Sequence, residues 1–129
     1  MAPEATGRAP VAGAFVLDAG LVVAFAVIGR ASHDDDLWAG LGQTAWPFLV
    51  GLVIGWALTR GWKAPAAVGR TGIGVWLATV GGGMLLRVLS GQGTALAFII
   101  VATLSLLVLL VGWRLVAQFV ARRASRSFA

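Results

Sequence analysis

The residue with the strongest claim to chemistry is Asp18, inside the apolar run 13–25, GAFVLDAGLVVAF. Near the middle of a membrane span an aspartate costs about 2.5–3.5 kcal/mol on insertion scales, so it must face a helix bundle or a wet cavity. There it can hold or pass a proton or a cation, or it can lock helices together. The residues alone leave both roles open. Asp18 falls about 10 Å from the start of its segment, and Thr79 comes to nearly the same depth by helical rise. Asp18 is therefore expected to stay neutral, to bond a neighbour such as Thr79, or to face water. Arg87 is the second polar candidate, within one turn of the outer end of its segment. Its depth differs from that of Asp18 by about 13 Å, more than the side chains comfortably span. An outer-loop aspartate is its cheaper partner, and snorkelling to the headgroups would also satisfy it.

The third candidate is the stretch that follows Arg30, SHDDD. Arg30, His33, Asp34, Asp35 and Asp36 would form one outer polar cluster with Arg87. One imidazole and three carboxylates suggest zinc or a hard cation. Consecutive acids cannot all point at one ion, however, and the chain has a single histidine. A solvated loop is the expectation, with no metal and no cofactor. The run Gly81-Gly82-Gly83 lies inside an apolar segment, where it serves packing or hinging and not a phosphate. No GxSxG, HExxH or Walker pattern occurs. Without cysteine there are no disulfides, thiolate metal sites or cysteine nucleophiles.

What must position these groups follows from composition. The 129 residues are 59% hydrophobic and 12% charged, against about 25% charged in a typical soluble domain. A soluble chain this short could not bury so much apolar surface. The bilayer resolves the excess. Four stretches fit spans of about 20 apolar residues: 11–29, 44–59 (from 37 if the preceding residues lie at the interface), 71–89 and 94–116. Backbone cannot face lipid unpaired, and no period-two alternation occurs, so the spans are helices. The expectation is an all-α, polytopic membrane protein with four transmembrane helices over 11–117. A disordered tail covers 1–10 and a basic tail 118–129. The first apolar stretch runs on for a full span, so it reads as retained and not as a signal peptide.

Orientation follows from the basic residues. With the N-terminus in the cytoplasm, Arg8, Arg60, Lys63, Arg70, Arg114, Arg122, Arg123 and Arg126 fall inside, and only Arg30 and Arg87 outside. Both termini are then cytoplasmic and the location is the cell membrane. Trp38 and Trp46 mark the outer interface, Trp62 and Trp113 the inner one. The net charge of +5 therefore suits anchoring, and no nucleic-acid partner is expected. The basic tail could touch anionic headgroups, or act simply as a cytoplasmic stop signal. Small residues recur at four-residue spacing, Gly51 and Gly55 on the second segment and Gly74, Ala78 and Gly82 on the third. Such stripes let helix backbones approach closely in lipid. Pro47 reads as a first-turn residue of the second helix, where its missing N–H does no harm.

The chain also carries a faint internal echo. Arg30 and Gly55-Trp56 stand at the same offset from Arg87 and Gly112-Trp113. Two parallel helical hairpins would give this pattern, as would chance similarity between apolar segments. The segments GRASHDD, TAWPFLVGLVIGW, TGIGVWLATVGGGMLLR and GWR resemble the domain-of-unknown-function 3054 family, small bacterial and archaeal membrane proteins, over about residues 13–116. The resemblance implies a four-helix membrane protein and brings no activity and no site residues. In outline the chain is also similar to the small multidrug resistance transporters, which have four helices and a carboxylate in the first. Its strong charge bias departs from the dual-topology members of that group, so an antiparallel dimer is not expected.

Two functions compete. One is a small carrier or proton- or ion-linked permeation module, with Asp18 as the titratable group and Arg30 and Arg87 as an outer gate. The other is a structural or accessory subunit of a larger membrane complex. Either implies lipid and a homo-oligomer or other membrane subunits as partners. An enzyme built on the His33 cluster ranks last. The environment of Asp18 discriminates: a carrier needs it wet, and a scaffold needs it paired.

Overall fold

The computed structural model describes residues 3–31, 37–92 and 95–127. Among them every regular element is helical. Helix α1 spans Pro3–Ala31, α2 Leu37–Thr59 and α3 Ile73–Leu89. The fourth long helix is α4, Leu96–Leu106, continued without interruption through a π turn, Leu107–Val111, into α5, Gly112–Ser127. A 3-10 turn, Gly61–Lys63, and a second π turn, Val68–Gly72, link α2 to α3. Three of the four long helices are long and apolar enough to cross a membrane: Val11–Ile28, Val68–Leu89 and Leu96–Ala124. The outer surface agrees, with Leu58 76%, Leu89 72% and Leu96 72% exposed. Leucines in such numbers on a water-facing surface would be a liability; facing acyl chains they cost nothing.

The helices overrun the sequence-based bounds at both chain ends. Residues 3–10, expected as a disordered tail, form the first turns of α1, and 118–127 continue α5.

The core is built around the α2–α3 pair, the most extensive interface in the molecule. A β-carbon at Gly51 would stand 2.8 Å from the Ala78 carbonyl oxygen, and one at Gly55 would stand 3.0 Å from Val75 Cα. Gly74 abuts the Thr59 methyl, Gly83 abuts the Phe48 ring, and a β-carbon at Gly82 would stand 3.2 Å from Gly51 Cα. These glycines let two backbones meet at distances that no side chain permits. Phe25 stacks edge-on against Phe48 at 5.6 Å, tying α1 to the pair, and Phe98 brings α4 against both rings.

Pro47 is placed differently from the expectation. Because α2 begins at Leu37, Pro47 lies in the helix interior and not in the first turn. A mid-helix proline has no N–H for the carbonyl four residues earlier. That carbonyl belongs to Gln43, and Gln92 Nε2 donates to it at 3.0 Å. Gln92 also accepts from Arg87 Nη1 at 3.1 Å. The gap left by Pro47 is thus filled from the turn after α3, where Gly91 adopts φ +81° and reverses the chain.

Candidate functional site: a buried ion pair

Asp18 and Arg114 are both 0% exposed, and they meet as a bidentate pair. Arg114 Nη2 donates to Oδ2 at 2.6 Å and Nη1 to Oδ1 at 3.0 Å. Two indoles complete the shell: Trp56 Nε1 donates to Oδ2 at 2.8 Å, and Trp113 Nε1 donates to Oδ1 at 2.8 Å. A carboxylate has about four acceptor positions. Four donors fill them, so the geometry describes an ionised carboxylate with no acceptor to spare.

The guanidinium is held as firmly. Nε donates to the Pro65 carbonyl at 2.8 Å, and Nη1 also donates to the Leu110 carbonyl at 2.8 Å. The Arg114 stem runs past Gly72, where a β-carbon would stand 3.0 Å from Arg114 Cδ. Arg114 also lies over the Trp113 ring at 4.6 Å, an arrangement favourable to a cation.

Three of the four long helices contribute side chains. Asp18 comes from α1, Trp56 from the last turns of α2, and Trp113 and Arg114 from the start of α5. The Val68–Gly72 turn before α3 supplies the space at Gly72. The Trp56 ring is fixed by Phe15, edge-on at 5.3 Å, and by Gly61, where a β-carbon would meet the ring at 2.7 Å. The connecting loop is stitched down by side chains. Thr71 Oγ1 donates to the Ala64 carbonyl at 2.6 Å, Arg114 to Pro65, and Gln118 Nε2 to the Ala66 carbonyl at 3.3 Å. Three consecutive carbonyls outside a helix thereby find donors, as irregular backbone buried in such a protein requires.

The expected Thr79–Asp18 bond does not form. Thr79 Oγ1 is buried and has no hydrogen-bond partner among the described residues; its backbone lies against Gly51. Charge-assisted bonds are roughly twice as strong as neutral ones, so a guanidinium displaces a hydroxyl as partner. Arg114, expected among the inner surface charges, is instead inside the bundle. Trp113 belongs to the same cluster and not simply to the inner interface. The signal for both was present. Leu115, Val116, Phe119 and Val120 follow Arg114, which places it within an apolar helix and not beyond it.

Arg87 lies over the Phe98 ring at 4.4 Å besides bonding Gln92. It is therefore not brought to Asp18. The side chains of Arg30, His33, Asp34, Asp35 and Asp36 lie outside the described residues. Among the described residues no metal-ligating cluster occurs.

A family model described as protein of unknown function (DUF3054) matches residues 15–117. This chain belongs to that family. No curated protein and no solved structure matches it. The matched span contains Asp18, Trp56, Pro65, Gly72, Trp113 and Arg114, and so the whole ion-pair cluster.

Proposed function

We propose that this DUF3054 chain is a four-helix membrane subunit whose Asp18–Arg114 pair is a structural clamp, and that it acts as an accessory component of a larger membrane assembly. One observation carries the reading: Asp18 is fully enclosed, and all its acceptor positions are taken by Trp56, Trp113 and Arg114. A permeating proton or cation needs an open path to the carboxylate and a free lone pair. Neither is available in this arrangement.

The apolar length of α2 favours a fourth span beside the three others. Arg8, Arg60, Lys63, Arg70, Arg122, Arg123 and Arg126 at one end favour cytoplasmic termini in a cell membrane. Two parallel hairpins gain support from the tryptophans at matching offset. Trp56 and Trp113 each give an indole N–H to one oxygen of the same carboxylate.

A second reading, a small carrier, draws on a different observation. A groove of about 300 Å³ lined by Gly13, Ala14, Leu17, Pro65, Ala66 and Trp113 opens beside the cluster. Swinging Trp113 aside would connect it to Asp18, and the π turn one step earlier is a common site of such adjustments. Proton and cation flux through proteoliposomes separates the two. A clamp gives no flux above empty vesicles, in the parent protein and in Asp18→Asn alike. Flux that needs Asp18 in a folded protein would establish the carrier instead. Purification from the native membrane tests the accessory role, since a homogeneous homo-oligomer free of other subunits would count against it.

A further inference from the structure

The inner end of the molecule carries a second feature, separate from the ion pair. Arg60 closes α2, Lys63 lies in the connecting loop, Arg70 leads into α3, and Arg122 and Arg123 lie on α5; all five are exposed. Acids are scarce around them. The chain has five Asp and Glu residues in all. Asp18 is engaged by Arg114, and Asp34, Asp35 and Asp36 come after the C-terminal residue of α1 in the sequence. Glu4 is the one acid left at this end. Arg60 also adopts φ 51°, a left-handed conformation that glycine would take with less strain.

The fourth long helix gives the rim its depth. Residues 96–127 extend about 48 Å by helical rise, against about 30 Å of hydrocarbon core. Its last turns must therefore leave the acyl region. Ahead of those turns Leu115, Val116, Phe119 and Val120 are exposed apolar side chains, and Arg122 and Arg123 follow. Arg123 lies over the Phe119 ring at 5.7 Å. One helix surface thus presents apolar groups first and guanidinium groups next, the order in which a leaflet presents acyl chains and phosphates.

We propose that this rim binds the anionic phospholipid headgroups of its own leaflet. The guanidinium and ammonium groups take phosphodiester oxygens, and the apolar residues of α5 lie along the acyl chains beneath. The charges come from the end of α2, the loop, the turn before α3 and α5. That spread fits many headgroups better than one acidic protein segment, which would need its charges gathered in one place.

The test uses the full chain in phosphatidylcholine vesicles doped with spin-labelled phosphatidylglycerol or spin-labelled phosphatidylcholine. The protein-associated fraction of each label is measured by electron paramagnetic resonance. Phosphatidylglycerol is expected to be enriched about fivefold at low salt, and the enrichment falls at high salt as the charges are screened. A variant combining Arg60→Gly, Lys63→Gln, Arg122→Gln and Arg123→Gln loses the enrichment while its thermal unfolding in neutral detergent stays close to the parent. Equal association of both labels with the parent protein overturns the proposal. So does enrichment that is insensitive to salt or survives in the variant. Should the variant not fold, the salt series on the parent protein still decides.

Discussion

Asp18 and Arg114 form a pair whose value depends on both members. Burying two charges costs several kcal/mol per ion, and mutual attraction offsets this only with good geometry and further hydrogen bonds. Both conditions hold here, through the bidentate contact and through Trp56, Trp113, Pro65 and Leu110. Asp18→Asn keeps the shape and removes the charge, stranding a buried guanidinium. We expect a loss of about 3–5 kcal/mol, read from unfolding in detergent micelles. Arg114→Gln strands the carboxylate and costs a similar amount. Combining the two removes both charges, so the double variant is expected to be more stable than the sum of the single losses implies. Strictly additive losses would mean that the two residues are not coupled. At this scale the sequence exposed Asp18 at once, because an acid in an apolar run stands out. It concealed the partner, because Arg114 resembles the first charge of a basic tail until the helix is known to run on.

At the scale of elements, the α2–α3 interface and the π turns decide the geometry. Gly51 meets the Ala78 and Thr79 carbonyls at 2.8 and 2.9 Å from where its β-carbon would stand. Backbone atoms cannot rotate away as a side chain can, so Gly51→Ala must push α2 off α3. A loss of about 1–3 kcal/mol is expected. Gly20→Ala is the control. Nothing lies within 4 Å of its β-carbon position, so it should be neutral or stabilise by up to about 1 kcal/mol through helix propensity. Equal effects of the two changes in a melting series would contradict this account of the interface. The stripes of small residues were legible in the sequence because four-residue spacing defines a helix face. The π turns were not legible. Nothing in VGRTG or LVLLV distinguishes an i→i+5 turn from an ordinary one, and the choice rests on contacts with other helices.

Among the described residues, the molecule exposes apolar side chains along its helices and buries the Asp18–Arg114 pair between them. One end collects Arg60, Lys63, Arg70 and the stitched loop, and the other holds the Arg87–Gln92–Gln43 chain. Single cysteines at Lys63 and at Ser90 report the orientation, since the parent chain has none. In right-side-out vesicles an impermeant maleimide should label the Ser90→Cys variant from outside, and the Lys63→Cys variant only after the membrane is opened. The reverse pattern would invert the topology.

Composition and hydropathy by themselves determined the helical class, the apolar segments, the charge asymmetry and the presence of one costly intramembrane acid. These are additive properties of a chain in its solvent, and local sequence carries them. Only the tertiary structure decided that Asp18 belongs to Arg114 and two tryptophans, and that Gln92 serves the carbonyl orphaned by Pro47. Pairing depends on where helices cross and how far they run. Arg114 lies far from Asp18 in the sequence, and no local pattern records a meeting that the packing of four helices brings about.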